Sequence, residues 1–170
     1  MNLQDFIRDI PDFPKKGIIF KDITPLLANP IALRETTNLL LKLIGNQKID
    51  KVIGIESRGF FFATLLANEL NAGFIPIRKS GKLPSKTISE GFDLEYGSDT
   101  LEIHLDAIQK GDKILIHDDV LATGGTAKAA CKLIERLGGQ IVQCNFLIEL
   151  NFLNGQEKIK EYTVSSLIKY

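Results

Sequence analysis

Short apolar runs alternate along this chain with segments of helical periodicity, and this alternation limits the folds available to it. The runs are rich in residues that favour β-structure and are typical of buried strands. Helical spacing is present at 59–70 and at 125–137, and the glycine pair at 138–139 predicts the end of the second helix. This alternation predicts an α/β fold, with a mainly parallel sheet flanked by helices. The predicted strands are VIGIE at 52–56, FIPIR at 74–78, ILIH at 114–117 and IVQCNFLIEL at 141–150.

Length and composition narrow the class of protein further. With 170 residues, 44% of them hydrophobic, the chain is expected to bury one core as a single domain, 1–170. Basic and acidic residues both total 21, which gives no support for nucleic acid or an anionic membrane as a partner, although local clusters could still bind one. Cys131 and Cys144 lie in apolar runs and are predicted to be core residues. The sequence shows no signal-peptide-like start and no apolar stretch of about 18 residues, so a cytoplasmic location is expected.

Two segments interrupt the alternation of strands and helices. Residues 79–100 are polar and contain three glycines and one proline. Because a loop of this length is unusual inside a compact domain, a lid or binding loop is expected there. Residues 11–30 contain four of the six prolines and are predicted to form an irregular cap over the sheet.

The stretch ILIHDDVLATGGTAKAACKLI, 114–134, carries the strongest chemical signal. The strand that begins this stretch is predicted to end at His117. Asp118 and Asp119 would then lie at the carboxyl edge of the sheet, where open parallel sheets bind ligands. The glycines and threonines at 123–126 then open a helix, whose free N–H groups and dipole favour an anion. A ligand that suits both parts has an anionic end and neutral hydrogen-bond donors, as a sugar phosphate does. The alternative is that the acids cap a loop and the glycines merely turn the chain.

The two carboxylates suit several roles at such a site. They can accept hydrogen bonds from vicinal sugar hydroxyls, balance positive charge on a sugar ring, and contact Mg²⁺ directly or through water. Other motifs fit badly, because the sequence contains no GxxxxGK[ST], no GxGxxG between a strand and a helix, and no GxSxG. With only two histidines, a multi-histidine metal centre is not expected.

The order of strand, two acids, small-residue turn, TGGT and helix resembles the phosphoribosyl-diphosphate (PRPP) signature of the type I phosphoribosyltransferases. Further segments extend the resemblance over nearly the whole chain and make it similar to the adenine phosphoribosyltransferases. These segments are FPKKGIIFKDITPLL at 13–27, GIESRGFFFA at 54–63, IRKSGKLPSKTISEGFDLEYGSDTLEIH at 77–104 and HDDVLATGGT at 117–126.

The resemblance implies both a fold and a reaction. The fold would be that of type I phosphoribosyltransferases, with an N-terminal cap at about 11–30 and a long flexible catalytic loop at about 79–100. The reaction would be purine salvage, in which the 5-phosphoribosyl group moves from PRPP to adenine N9 with inversion at the anomeric carbon. AMP and diphosphate would be the products, Mg²⁺ the cofactor, and a homodimer the expected assembly.

The resemblance also implies roles for matched residues. Asp118 and Asp119 would bind the ribose hydroxyls and could assist Mg²⁺, which would be held mainly by PRPP. Phe20 and Lys21 would contact adenine. Arg58 and Glu95 would be catalytic, with Glu95 handling the proton of the base. The 5′-phosphate would be held by Ala122, Thr123, Gly124, Gly125 and Thr126, and the diphosphate by Ser57, Arg58, Lys79, Lys82 and Tyr96. The diphosphate loop would be 56–59, where relatives can show an unusual cis peptide.

Alternatives remain open at several of these positions. Arg58 could pair with Glu56 at the surface, Lys82 could simply be solvated, Tyr96 could anchor the loop by packing, and Phe20 could belong to a packed cap. His117 is expected to pack in the core. At the level of function, the alternatives are a phosphoribosyltransferase for hypoxanthine, guanine or xanthine, and a regulator that binds PRPP without turnover.

Overall fold

The computed structural model describes residues 1–93 and 97–170, which form two compact units, 1–42 and 43–170. In the first unit, two short strands pair antiparallel, with Arg8 opposite Asp22 and Pro11 opposite Ile19. The segment 11–30 was predicted to be irregular, and this is wrong in part, since a strand and a helix lie within it. The elements are a 3-10 helix Leu3–Phe6, β1 Arg8–Pro11, β2 Ile19–Asp22, α1 Thr24–Ala28 and α2 Pro30–Ile44, whose last two residues belong to the second unit.

Polar side chains fix where the two helices of this segment begin. Asp22 accepts hydrogen bonds from the amide and the hydroxyl of Thr24, at 2.9 and 2.8 Å. Asn29 Oδ1 accepts from the amides of Ile31 and Ala32, both at 3.0 Å. Such caps satisfy amides that have no partner inside the helix, and the proline that follows Asn29 has the backbone angle that a first helical residue needs.

The second unit is built on a sheet of seven strands within the described residues, in the order β5-β6-β4-β3-β7-β8-β9. The pairs β3 with β4, β3 with β7, β7 with β8, and β8 with β9 are parallel, whereas β6 runs antiparallel to both β4 and β5. The fold is therefore of the predicted α/β class, with a mainly parallel sheet. Its elements are β3 Lys51–Ile55, α3 Gly59–Glu69, β4 Gly73–Lys79, β5 Thr87–Asp93, β6 Ser98–His104, β7 Lys113–Leu121, α4 Gly125–Arg136, β8 Gln140–Glu149, and β9 Val164–Lys169.

All four predicted strands and both predicted helices are present, with two differences. The strand β7 does not end at His117 but continues to Leu121, because its neighbour β8 is long and pairs with it as far as Glu149. Much of 79–100 is also not a loop. Its described residues include β5 and the start of β6, which pair from Thr87 opposite His104 to Asp93 opposite Ser98.

The hairpin of β5 and β6 was missed because its buried positions are few and separated by polar residues. On β5, Ile88, Glu90 and Phe92 lie on the same face, and Ile88 and Phe92 pack against the core. On β6, Leu101 and Ile103 are buried. Alternation of this kind is typical of a strand with one buried face, but the glycines and charges of the segment concealed it.

One helix, α4, covers a large part of the core. Four of the five residues predicted for its inward face, Ala127, Ala130, Cys131 and Ile134, are buried and pack with inward residues of β3, β7 and β8. The fifth, Leu137, follows the last helical residue and is only partly buried. Cys131 and Cys144 are both buried, and their Sγ atoms lie 3.7 Å apart. Gly138 ends the helix with a φ of 86°. The predicted core role of both cysteines is therefore confirmed.

The other long helix of this unit, α3, buries only part of the phenylalanine run at 60–62. Phe62 is fully buried, but 45% of Phe61 is exposed. In the described part of the chain, no helix has the length and apolar character needed to cross a membrane.

Candidate active site

The loop between β7 and α4 surrounds a cavity of about 70 Å³. Gly124 precedes α4 with a φ of 79°, a left-handed conformation that glycine adopts without strain, and Gly125 is the first helical residue. The amides at this end of α4 have no partners within the helix, and the helix dipole is positive there. The cavity is therefore suited to a phosphate group. It is lined by Asp118, Val120, Leu121, Ala122, Thr123, Gly124, Thr126, Ala127 and Phe146.

The two acids at the end of β7 have different surroundings. Asp118 lines the cavity, and its Oδ1 accepts a hydrogen bond from the amide of Asp119 at 2.9 Å. Asp119 is buried, and its Oδ2 lies 2.9 Å from Nε of Arg58. Neighbours in a strand point to opposite faces, which explains why only one of the two faces the cavity.

Burial shifts the acidity of both carboxyl groups in the same direction. For Asp118, burial and then the neighbouring charge of Asp119 raise the pKa well above its usual range. For Asp119, burial raises the pKa although the guanidinium of Arg58 lowers it. A buried carboxylate that lacks enough partners favours its neutral form. Both groups would therefore gain from a ligand that donates hydrogen bonds to them.

The loop between β3 and α3 lies against the same end of β7. A Cβ atom on Gly59 would lie 2.8 Å from Oδ1 of Asp118 and 3.0 Å from the carbonyl oxygen of His117, so only glycine allows this approach. The peptide bond between Glu56 and Ser57 is cis, which agrees with the family resemblance of this loop. Arg58 pairs with Asp119, whereas Glu56, its partner in one alternative, pairs with Arg78 and Lys82. The predicted diphosphate loop and the predicted ribose acids are therefore adjacent.

Glu56 is the centre of a basic cluster beside this loop. Its carboxylate accepts hydrogen bonds from the guanidinium of Arg78 at 3.3 and 3.4 Å, from the amide of Lys79 at 2.9 Å, and from the ammonium group of Lys82. Burial would raise the pKa of Glu56, but the hydrogen bonds from Lys82, Lys79 and Arg78 together outweigh it and lower the pKa to about 2. The Lys79 ammonium group lies 2.9 Å from Oδ2 of Asp99 and lowers the pKa of that carboxyl group. The cluster thus brings Lys79 and Lys82 together near Ser57.

Arg78 is a residue of this cluster that the sequence reasoning did not select. It follows Ile77, which pairs with Ile55 in the parallel register of β3 and β4, and this register places Arg78 beside Glu56. The sequence signal for this pair was the opposite charge of Glu56, after β3, and Arg78, near the end of β4. It could be used only after the strand order was known.

His117 is fully buried, as expected, and takes part in a hydrogen-bonded chain. Its Nδ1 lies 3.0 Å from Oδ1 of Asn145, and the Asn145 amide donates to Oε1 of Gln143 at 3.2 Å. Because Asn145 accepts from the ring, the proton of the neutral imidazole is assigned to Nδ1. Burial lowers the pKa of His117 to about 4, against an opposing effect of Asn145. The ring is therefore neutral at pH 7.

The residues predicted for adenine lie in the first unit, 1–42. The ring of Phe20 packs edge to face on Phe13, with centroids 5.1 Å apart, and Nζ of Lys21 lies 2.7 Å from Oδ1 of Asp9. Glu95 and Tyr96 lie outside the described residues. The predicted roles of these four residues, Phe20, Lys21, Glu95 and Tyr96, stay predictions.

Comparison with known proteins agrees with this geometry. Residues 22–169 match the family model for the phosphoribosyl transferase domain, and the chain therefore belongs to the phosphoribosyltransferase family. It is 66% identical to the adenine phosphoribosyltransferase of Christiangramia forsetii, over 100% of this chain and 99% of that relative. Within the family, the chain belongs to the adenine phosphoribosyltransferases.

Solved structures support the same placement. The adenine phosphoribosyltransferase of Rhodothermus marinus superposes with a TM-score of 0.95 at 52% identity, covering 99% of this chain and 96% of that one. The enzyme of Saccharomyces cerevisiae, solved with adenine and an imino-altritol bisphosphate, gives a TM-score of 0.92 at 40% identity, covering 97% and 96%. Both similarities extend over nearly the whole chain, and they confirm the predicted type I phosphoribosyltransferase fold.

Proposed function

We propose that this chain transfers the 5-phosphoribosyl group of PRPP to N9 of adenine, a purine-salvage reaction that yields AMP and diphosphate with inversion at the anomeric carbon. The observation that carries the proposal is the arrangement at one sheet edge. A phosphate-sized cavity at 122–126, the carboxyl of Asp118 and the loop 56–59 lie next to one another. This order matches the 5′-phosphate, ribose and diphosphate of PRPP.

The phosphate cavity accounts for how the sugar is held. The amides at the start of α4 and the hydroxyls of Thr123 and Thr126 supply donors to the 5′-phosphate, with Ala122, Gly124 and Gly125 shaping the loop. Asp118 and Asp119 accept hydrogen bonds from the ribose hydroxyls. Their ionised forms become more favourable when those donors replace missing partners. Carboxylates in this position also stabilise the positive charge that develops at the anomeric carbon.

The diphosphate departs on the side of the loop 56–59. Arg58 exchanges its contact with Asp119 for the diphosphate oxygens, which its planar guanidinium can bind with two hydrogen bonds. Ser57, Lys79, Lys82 and Tyr96 add further donors. The bond from the anomeric carbon to the diphosphate oxygen breaks, and the bond to adenine N9 forms from the opposite face.

Residues of the cap bind the base, and a residue of the catalytic loop accepts its proton. Phe20 and Lys21 contact adenine, and the carboxylate of Glu95 takes the N9 proton as the new bond forms. The resemblance of FPKKGIIFKDITPLL and of the loop segment supports these roles. Closure of the loop excludes water, which would otherwise hydrolyse the activated sugar.

Mg²⁺ is the proposed cofactor, and the carboxylate of Asp118 suits it. Hard oxygen ligands are those that Mg²⁺ prefers, and Asp118 faces the cavity whereas Asp119 already contacts Arg58. Among the described residues, no group of three or more potential ligand side chains occurs. The resemblance implies that PRPP would hold most of the ion, which would neutralise charge on the diphosphate.

A single domain over 1–170, a homodimer and a cytoplasmic location complete the proposal. The exposed ring of Phe61 on α3, next to the diphosphate loop, is a surface that a second copy could cover. A reducing compartment suits Cys131 and Cys144, whose thiols are free although they lie 3.7 Å apart.

The experiment that tests this function compares four bases. Purified protein with Mg²⁺ and PRPP is incubated with adenine, hypoxanthine, guanine or xanthine, and the nucleotides are separated by chromatography. We expect kcat/KM for adenine to exceed that for each 6-oxopurine by about a hundredfold or more, because a site built to bind one exocyclic group rejects another. Equal turnover of a 6-oxopurine would contradict adenine specificity, and PRPP binding without turnover would favour the regulator.

A further inference from the structure

Residues 122–126, proposed above to hold the 5′-phosphate, are called the phosphate loop here. A glycine far from this loop in sequence touches it directly. Gly155 is buried and begins a 3-10 helix, Gly155–Ile159, between β8 and β9. A Cβ atom on Gly155 would lie 2.2 Å from the carbonyl oxygen of Ala122 and 3.0 Å from the amide nitrogen of Gly124. Conversely, a Cβ atom on Gly124 would lie 2.3 Å from the carbonyl oxygen of Gly155. The two backbones therefore meet with no room for a side chain on either.

The reasons for glycine differ at these two positions. Gly124 has a φ of 79°, so any substitution there strains the backbone whatever space is available. Gly155 is not among the glycines with positive φ, and alanine can adopt its conformation. What excludes a side chain at 155 is the loop itself. A substitution at Gly155 thus tests the contact without changing the loop sequence or straining its own backbone.

The segment that carries Gly155 is anchored on both sides. Before it, the amide of Leu150 donates to the carbonyl of Leu121 at 3.0 Å, at the end of β7. After it, Ile159 is fully buried in the core cluster that also contains residues of α4. Because both flanks are fixed to the elements that bracket the phosphate loop, the segment cannot move away freely if the contact is crowded.

We infer that Gly155 is a positioning residue for 5′-phosphate binding, which sets the location of residues 122–124 by direct backbone contact. The inference rests on the proposed function, since it assumes that the cavity takes the phosphate of PRPP. A methyl group at 155 would displace the loop by about 1 Å, and a displacement of that size at a binding site can cost about a hundredfold in rate.

Two other glycines provide matched controls. A Cβ atom on Gly139 would lie 2.8 Å from Ile134 and 3.0 Å from Ile114, so Gly139→Ala crowds the core beyond the end of α4 that is remote from the cavity. A Cβ atom on Gly73 would meet only the flexible side chain of Lys51, at 2.9 Å. Neither control has a positive φ. Gly139→Ala separates a loss of stability from a loss of loop positioning. Gly73→Ala controls for replacing a glycine by alanine where only a flexible side chain is nearby.

The experiment measures steady-state kinetics, thermal unfolding, and calorimetric binding of ribose 5-phosphate. For Gly155→Ala we expect KM for PRPP and Kd for ribose 5-phosphate to rise about tenfold or more, with KM for adenine within about threefold of wild type. Gly139→Ala should lower Tm but leave both phosphate measurements unchanged, and Gly73→Ala should resemble wild type. Unchanged phosphate measurements in Gly155→Ala, or an equal rise in an equally destabilised Gly139→Ala, would overturn the inference.

A second pair of variants covers the case in which Gly155→Ala does not fold. Ile159→Val loosens the anchored segment by one methyl group, and Ile114→Val makes the same deletion in the core of β7. We expect only Ile159→Val to weaken ribose 5-phosphate binding, by about threefold or more. Equal effects, or none, would refute the positioning role. A wild-type protein that binds ribose 5-phosphate but forms no AMP would instead contradict the proposed function.

Discussion

The pKa values of three carboxyl groups at one edge of the sheet are shifted in opposite directions. Glu56 is surrounded by donors, and its pKa of about 2 keeps it ionised. Asp119 is buried and Asp118 is partly buried, both with fewer partners, and their pKa values are raised. An acid whose pKa is raised by folding lowers stability as the pH rises above its unfolded pKa, whereas Glu56 adds stability that is lost only as the pH falls towards 2. The proposed ribose acids therefore cost stability at neutral pH, and Glu56 contributes to it.

His117 gives a pH-dependent prediction at the residue scale. Folding lowers its pKa from 6.5 to about 4, so between these values the unfolded chain binds more protons than the folded one. Stability should therefore fall as the pH is lowered through this window, by up to about 3 kcal/mol from this residue. We expect His117→Gln, which cannot titrate, to lose less stability than wild type between pH 7 and pH 4. Urea unfolding across this range measures the difference.

The control for this prediction is the other histidine of the chain. His104 is partly exposed at the end of β6, and His104→Gln removes a histidine without disturbing the buried contact to Asn145. If His117→Gln and wild type lose stability in parallel, the buried ring does not account for the acid sensitivity. If His104→Gln shows the flatter profile, the slope belongs to that residue.

Among the elements, α4 connects the phosphate loop to the β5–β6 hairpin. Glu90 on β5 accepts hydrogen bonds from Lys132 at 2.9 Å and from Arg136 at 3.3 Å, and Arg136 also donates to the carbonyl of Ser89 at 2.7 Å. These charges are partly exposed, so each pair adds little to global stability. Their consequence is local, because they hold an edge strand against the helix whose first residues line the proposed phosphate cavity.

At the element scale, we predict that Glu90→Gln loosens the hairpin without unfolding the protein. Hydrogen exchange of the amides at 87–93 should become several-fold faster, while global stability changes by less than about 1 kcal/mol. High salt should have a similar effect on wild type, because it screens exposed charges. Glu157→Gln, which breaks an exposed pair with Lys160, is the control and should leave this exchange unchanged. Unaltered exchange in Glu90→Gln would show that the ion pairs do not hold the strand.

At the scale of the whole molecule, ligand binding should stabilise the protein by mass action. A ligand at about 100 times its Kd adds about 2.7 kcal/mol to the free energy of unfolding. Ribose 5-phosphate and PRPP share the 5′-phosphate and the ribose, but only PRPP carries the diphosphate that is proposed to hold Mg²⁺. The two ligands therefore separate the contribution of the ion from that of the phosphate cavity.

We predict that chelation of Mg²⁺ with EDTA removes most of the thermal stabilisation by PRPP and little of that by ribose 5-phosphate. Removal of the ion leaves the charge of the diphosphate uncompensated, whereas the 5′-phosphate relies on the amides at the start of α4. Thermal unfolding of the protein with each ligand, with and without EDTA, provides the measurement. Equal loss for both ligands would contradict the proposed place of the ion.

Local patterns in the sequence determined the elements that are encoded within a few consecutive residues. The apolar runs predicted β3, β4, β7 and β8, and the spacing of Ala127, Ala130, Cys131 and Ile134 predicted α4 and its buried face. The succession of acids, glycines and helix also predicted the loop between β7 and α4, the proposed phosphate site, at a sheet edge. These features were predictable because periodicity and helix starts depend on neighbours along the chain.

Only the tertiary structure decided which distant residues meet. Arg58 contacts Asp119, Glu56 contacts Arg78, and Gly155 touches a loop more than thirty residues before it. The β5–β6 hairpin forms because β6 pairs with β4, although its own sequence resembles a polar loop. Such contacts depend on strand order and register, which join segments far apart in sequence. No local pattern encodes contacts between such distant segments. The sequence by itself therefore determined which segments make up the candidate site, whereas the fold determined which residues contact one another there.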